Sequence, residues 1–470
     1  MLVLYLILDW VARLAILMAL VVPRRPVVNM RWLPLILMFP ILAVLIFLFA
    51  FRPSAMMKRR ARLAEARRQL KLARRQILMS RHCLPPKLPR NLERAAKLVE
   101  RVNLFPAVSG NRIEALADYE QVISSLVADI TSARDHVHLT TYIFSDDAVG
   151  RQIVSALLAA ADQGVKCRVL IDALGSFWSS RQIIHKLRSC GIDVHRTLPV
   201  SVANLNALRP DLRNHRKVAV IDGRTGYIGS QNIIGSKQSD GRTSKEFMVR
   251  LSGPVVLQLQ SLFARDWFLE TGIVLGEKTL FPHERATGKA HAQLVAGGPE
   301  YSRFVIRLLL DALIHAAEHR LVITTPYFVP DDALLLALEG AAARGVKVSL
   351  ILPQRGDHRL VDFAQRSFFA RLLDAGIAIY LYQPGFLHAK HVSVDEDLAL
   401  VGSMNIDLRS FELNGEAGLL IYDRSLAARL QEEEAQHMAA SEQLRRSEWS
   451  ARPALNRVLE NAARLFSPLL

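Results

Sequence analysis

Two stretches of this chain carry the same order of chemically capable side chains. The first runs His215, Lys217, Asp222, Gly229, Ser230 and Asn232; the second runs His388, Lys390, Asp395, Gly402, Ser403 and Asn405. They align without a gap at an offset of 173 residues (215 to 388). HRKVAVID and HAKHVSVD read as β-strands, in which a period of two puts His and Lys on one face. One face then offers an imidazole and an ammonium together. The Gly-Ser-x-Asn turn adds a hydroxyl, an amide and close backbone approach. Lysine neutralises non-bridging phosphate oxygens, and Ser and Asn donate hydrogen bonds where transition-state charge develops. Two copies supply two histidines for one phosphorus. One attacks as nucleophile; the other protonates the leaving oxygen and later deprotonates the acceptor alcohol. Fixed cations do the charge work here, so the chemistry calls for no metal and no cofactor. A single H-x-K would mean little, since a lone strand histidine is usually packed or on the surface. The doubled order carries the weight.

The elements that must position these residues repeat too. HLTTYIFSDDA (138–148) resembles VITTPYFVPDDA (322–333), and AAADQGVKCRVLID (159–172) resembles AAARGVKVSLILP (341–353). Strand-like runs alternate with alanine-rich helical stretches from about Leu104 onward, which argues α/β. A duplicated unit of this size means two homologous domains or one pseudo-twofold domain. The boundaries expected are 104–285 and 286–470. The first copy carries an extra stretch near Phe177–Asp211.

At 470 residues the chain exceeds one ordinary domain. A net charge of +16 implies an anionic partner, whether nucleic acid, lipid surface or phosphorylated substrate. The three cysteines (Cys83, Cys167, Cys190) have no C-x-x-C spacing, which argues against a disulfide framework or zinc site. Twenty uncharged residues lie between Arg31 and Arg52, enough to span a bilayer as a helix. Residues 2–22 read as a second span, with Asp9 and Arg13 four apart and able to neutralise each other. Residues 1–52 are thus expected to form a transmembrane helical hairpin, and 53–103 a basic juxtamembrane helical linker. The dense basic run after Phe51 should stay cytoplasmic, either lying against anionic headgroups or serving as a solvated stop-transfer flank that only sets topology. That makes a multi-pass protein whose body faces the cytoplasm.

The doubled motif resembles that of the phospholipase D superfamily, and the chain is similar to bacterial cardiolipin synthases over essentially its whole length. NHRKVAVIDGRTGYIGSQNI, ITTPYFVPDD, GFLHAKHVSVDEDLALVGSMNIDLRSFELNGEAGLL and ENAARLFSPLL carry the likeness. The resemblance implies two phospholipase-D-like α/β/α domains in pseudo-twofold arrangement with the site between them. It implies an inner-membrane phosphatidyltransferase that joins two phosphatidylglycerol molecules into cardiolipin and glycerol through a phosphohistidine. His215 and His388 match the catalytic histidines, with His215 taken as nucleophile and His388 as acid/base, although pseudo-symmetry permits the reverse. Lys217, Lys390, Asn232 and Asn405 match phosphate-binding positions. Asp222 and Asp395 complete the motif, in a supporting more than a reacting role. Glu416 matches an acid that orients a histidine ring through its second nitrogen. Glu246 holds the equivalent place in the first copy, at a longer spacing from its histidine.

Tyr142, Phe144, Tyr327 and Phe328 could line a lipid cleft or pack in the core. Arg409 could meet a headgroup or pair internally. His391 should face away from Lys390 and be structural. With water or another alcohol as acceptor the same chemistry gives a phospholipid hydrolase or a different phosphatidyltransferase. A nuclease also uses this motif, but the positive charge concentrates beside the membrane segment and no basic–aromatic nucleic-acid pattern appears. A silent membrane scaffold is the remaining alternative.

Overall fold

The computed structural model describes residues 105–199, 211–283, 285–301 and 304–467, the helix over 90–103, and residues 9–11, 14, 62–66 and 82. The expected spans and most of the basic linker lie outside the described residues. Among the described residues no helix is long and apolar enough to cross a membrane.

Among the described residues the first half contributes seven strands to the main sheet: β1 (Val108–Leu116), β2 (His136–Thr141), β3 (Lys166–Asp172), β4 (Asp193–Thr197), β5 (Val218–Ile221), β6 (Thr225–Gly229) and β7 (Met248–Ser252). The second contributes β8 (Ala290–Gly297), β9 (Arg320–Thr324), β10 (Lys347–Pro353), β11 (Ala378–Tyr382), β12 (His391–Val394), β13 (Leu398–Gly402), β14 (Glu416–Tyr422) and the edge strand β15 (Ser441–Gln443). All fifteen form one sheet, ordered β15-β11-β10-β9-β12-β13-β14-β8-β1-β7-β6-β5-β2-β3-β4. The order reads the same outward from the β8–β1 seam in both directions, apart from β15. The repeat seen in sequence is therefore a pseudo-twofold repeat in space. β2-β3-β4 and β9-β10-β11 are parallel, and the strands beside them are antiparallel. Helices cover both faces, which is why the parallel strands read as continuous apolar runs.

Repeated sequence builds repeated local structure. Asp147 caps the helix Ala148–Asp162 by accepting from Gly150 N at 2.9 Å, and Asp331 caps the helix Asp332–Ala343 by accepting from Leu334 N at 2.7 Å. Such caps contribute about 1 kcal/mol each. Here α1 is Arg90–Asn103, α2 Tyr119–Thr131, α3 Ala148–Asp162, α4 Arg181–Ser189, α5 Val255–Thr271, α6 Val305–Ala316 and α7 Asp332–Ala343. The remainder are α8 (Arg359–Arg366), α9 (Phe369–Asp374), α10 (Leu408–Glu412), α11 (Arg424–Ala439), α12 (Arg446–Ser450) and α13 (Ala454–Arg464). Gly164 and Gly345 end α3 and α7 at φ of +85° and +90°, a conformation open to glycine without strain. α1 lies within the stretch expected as linker. Its Leu92, Ala95 and Val99 are buried in the main core, where it packs on α6 and β8.

Candidate active site

His215 and Lys217 lie in extended chain just before β5, and His388 and Lys390 just before β12. Each segment is stitched to the opposite half. His215 N donates to Gly415 O at 2.8 Å, and Gly415 N to Arg213 O at 2.7 Å. Residues Phe386–Leu387 pair in parallel with Ser244–Lys245, and His388 N donates to Lys245 O at 2.8 Å. Strand order thus brings the histidine of one copy against the glutamate of the other. His215 Nδ1 lies 3.0 and 3.1 Å from the two oxygens of Glu416. His388 Nδ1 lies 2.6 Å from Glu246 Oε1. The spacing of each glutamate from its own copy's histidine is therefore not the relevant distance. The pairing is crossed. A carboxylate on Nδ1 holds the proton there and leaves the Nε2 lone pair for the cleft.

The two carboxylates are loaded differently. Glu416 is fully buried and also receives hydroxyls from Ser403 and from Ser410 at 3.0 Å. Glu246 gives Oε1 to His388. Its Oε2 lies beside Ser230, whose hydroxyl is already engaged by the Phe247 backbone, and completes no hydrogen bond. Burial would raise both acids, but the facing histidine and lysine charges outweigh it. Glu416 is lowered, and Glu246 is lowered to about 2. Burial pushes His215 down to about 4 against the pull of Glu416, and lowers His388 against the pull of Glu246.

Each lysine turns Nζ onto the carbonyl of its own histidine, at 2.8 Å for Lys217 and 2.7 Å for Lys390. Both side chains are buried, and among the described residues neither is ion-paired within 4 Å. Burial, then repulsion from Lys390, drives Lys217 well down; burial lowers Lys390 to about 8. Burial disfavours the charged form of both lysines, and an anion bound beside them would favour it.

Asn232 and Asn405 are buried at the ends of the neighbouring turns. Asn232 accepts from Ile143 N at 3.1 Å through Oδ1, which orients its amide; Asn405 Oδ1 is buried without a partner. The Ser230 and Ser403 hydroxyls were expected at the phosphate. They are fully buried behind it, on the Phe247 backbone and on Glu416. Asp222 and Asp395 stand at the far ends of their strands, about 20 Å of extended chain from their histidines. Asp222 accepts from the amides of Arg134, Asp135 and His136 at 2.8–2.9 Å, and Asp395 from those of Glu318, His319 and Arg320 at 2.8–3.2 Å. Both hold left-handed φ, +52° and +49°. They tie turns and do not reach the cleft.

The aromatic candidates divide. Tyr142 sets its ring edge to His215 at 5.0 Å and lies 5.3 Å below Lys217 Nζ, while Tyr327 donates to Asp357 at 2.6 Å. Phe144 and Phe328 are core. Arg409 reaches across to the Asp211 carbonyl at 3.1 Å, and His391 is buried 3.4 Å from Glu434 on the other face.

Arg216 is a residue that the motif alone does not single out. It occupies the free position of H-x-K, where the second copy has Ala389. Fully buried, it donates to Glu416 O at 3.1 Å, Gly297 O at 2.7 Å, and Asp266 and Glu300 at 2.6 Å each, with Arg265 completing the cluster. A charged residue flanked by strand-buried neighbours is the available signal. Asp407, the cap of α10, is equally silent in the sequence; burial raises it to about 6.

Comparison with known proteins agrees with the division of the chain into two repeated halves. Residues 126–267 and 310–438, one block per half, match the family model described as cardiolipin synthase, PLD-like domain. The chain is 36% identical over 462 residues to cardiolipin synthase A of Proteus mirabilis (strain HI4320), covering 95% of this chain and 94% of that one. The chain belongs to the cardiolipin synthase family. To cardiolipin synthase A of Yersinia pseudotuberculosis (serotype O:1b, strain IP 31758) it is 35% identical over 474 residues, covering 98% and 97%. The crystal structure of phosphatidylserine synthase from Haemophilus influenzae Rd KW20 superposes with a TM-score of 0.63 at 17% identity, covering 81% of this chain and all of that one, which shows the shared fold. Membership in the cardiolipin synthase family makes this a phospholipid phosphatidyltransferase of the phospholipase D type.

Proposed function

We propose that the chain makes cardiolipin from two molecules of phosphatidylglycerol. The observation that carries this is the pair of buried lysines, neither ion-paired within 4 Å among the described residues, placed beside two histidines whose Nδ1 atoms are each held by a glutamate. His215 Nε2 attacks the phosphorus of the first lipid. The bond from phosphorus to the glycerol headgroup oxygen breaks, and His388 donates its Nε2 proton to that oxygen. Glycerol leaves and a phosphatidyl-histidine remains. His388, now neutral, takes the proton from a glycerol hydroxyl of the second phosphatidylglycerol. The freed oxygen attacks phosphorus and displaces His215. Lys217, Lys390, Asn232 and Asn405 hold the phosphoryl oxygens. Glu416 and Glu246 orient the two rings.

The unequal carboxylates favour this division of labour. Glu416 spreads its charge over several donors, so it supports an imidazolium on His215 weakly and leaves a neutral nucleophile. Glu246 concentrates on His388 and supports the acid. The N-terminal apolar segments are read as the anchor that keeps the site at the cytoplasmic face of a bacterial inner membrane.

The test gives purified full-length protein phosphatidylglycerol in detergent. Cardiolipin and glycerol in equal amounts are expected. Phosphatidic acid as main product would overturn the transferase reading in favour of a hydrolase. Rapid quenching of the wild-type protein during turnover should trap a phosphatidyl adduct on His215, found by peptide mass spectrometry. An adduct on His388 instead would reverse the roles.

A further inference from the structure

The cleft is framed by a rim that has no use inside the molecule. After β3 the chain turns through residues 173–180. Asp172 pins this turn to the site, accepting from Leu174 N and Gly175 N at 2.9 Å each and from Asn214 N at 2.9 Å, one residue before His215. Ser176 Oγ donates to Tyr142 O at 2.8 Å, and Tyr142 touches His215. From this anchored turn Phe177 and Trp178 project outward, their rings edge to face at 5.0 Å, with Trp178 92% exposed. An indole fixed beside a reaction centre and left in water is an unusual placement.

The other half answers with α8, which follows β10. It is tied to the site by Gln365, which accepts from Phe328 N at 2.8 Å. Leu360 and Phe363 face solvent from α8. α13 packs on α8 and leaves Leu455, Val458 and Leu459 exposed, a stripe at i, i+3 and i+4. A twofold axis keeps a point and its mate at equal height along it. The pseudo-axis runs between His215 and His388, so the segments after β3 and β10 lie on the same side of the molecule, around one mouth.

Charge decides what this rim fits. On α4, α8 and α13 the exposed charged side chains are basic, Arg181, Lys186, Arg188, Arg359 and Arg457. The acids on these helices are turned in: Asp362 accepts from Gly356 N, and the buried Glu460 takes Arg452 at 2.6 Å. The exposed Asp357 before α8 is held by the Tyr327 hydroxyl. Apolar side chains ringed by cations suit an anionic bilayer, with the rings and aliphatic groups at the headgroup boundary and the cations on lipid phosphates.

We propose that this rim seats on an anionic membrane surface, with Phe177 and Trp178 on one side and the α8–α13 face on the other, so that the cleft opens directly onto lipid. The inference rests on reading the cleft as a phospholipid site and names the surface from which that site is fed.

The test uses the full chain in nanodiscs of phosphatidylcholine and phosphatidylglycerol, with Cys83 and Cys190 replaced by serine. A bimane is attached through Trp178→Cys, Val458→Cys or, as control, Glu318→Cys, which lies in the turn before β9 at the opposite ends of the strands. Brominated acyl chains should quench the first two at least threefold more than the third. Equal quenching at all three positions overturns the proposal. So does disulfide-linked dimer through position 178 in place of quenching, which would mark a contact between copies. A second readout compares substrates. Phe177→Ser/Trp178→Ser should lose at least fivefold in rate on bilayer phosphatidylglycerol and much less on a dispersed short-chain form; equal losses count against docking. Quenching is read without turnover. An absence of cardiolipin from wild type would therefore fault the proposed reaction and leave the docking result standing.

Discussion

Glu246→Gln keeps the shape of the crossed pair and removes its charge. The bond to His388 is short, at 2.6 Å, and buried. A hydrogen bond to a charged group contributes about 1.5–3 kcal/mol, and at about 1.36 kcal/mol per pKa unit that is about 1–2 units. Burial already lowers His388 and Glu246 opposes it, so the substitution lowers His388 further. A general acid must carry its proton, and a lower pKa strips it at lower pH. The alkaline limb of the rate profile should therefore move down by about 1–2 units, and kcat at neutral pH should fall about 10–100-fold. The assay is cardiolipin formation from pH 5 to 9, paired with NMR titration of labelled histidines. The His388 resonance should shift and the His215 resonance should not. Movement of His215 alone would refute the crossed pairing. An unmoved pH profile would refute His388 as the acid.

Lys217→Met and Lys390→Met should each cut kcat by about 10²–10³, the loss expected for one fixed donor at developing charge, while raising the melting temperature of the substrate-free protein. Lys390 sits at about 8 in the fold and near 10.4 unfolded. The unfolded chain binds more protons between those values, so stability should rise from pH 8 toward 10, and this slope should vanish in Lys390→Met denaturant melts. Arg216→Leu leaves Asp266 and Glu300 to share Arg265 alone, one buried negative charge in excess, and should cost about 3–5 kcal/mol by urea unfolding. Asp222→Ala should lower the melting temperature, because three backbone amides lose their acceptor, yet leave kcat per folded molecule within about threefold, measured by active-site titration with the phosphohistidine trap.

Much of the molecule is legible in the order of its residues. The doubled motif, the alternation of elements and the repeated Asp-Asp-Ala caps all encode local geometry, and local geometry repeats when sequence repeats. The crossed glutamates are not legible there, because spacing along the chain says nothing about which strand edge meets which. The serines mislead for a related reason. A hydroxyl in a Gly-Ser-x-Asn turn can face the ligand or the layer behind it, and here the Phe247 backbone holds Ser230 backward and Glu416 holds Ser403. Arg216 is hidden because its partners, Asp266 and Glu300, lie 50 and 84 residues away.

The exchange of segments between halves bears on where such a chain comes from. A polypeptide holding one copy would carry a histidine and a glutamate that cannot reach each other. Only by associating head to head with its own twin would it gain a working centre. Fusing the two genes would then remove the dependence on concentration and free the copies to diverge. The copies here do differ, in Arg216 against Ala389 and in the unequal surroundings of Glu246 and Glu416. Two separately expressed halves, each inert, should restore turnover when mixed.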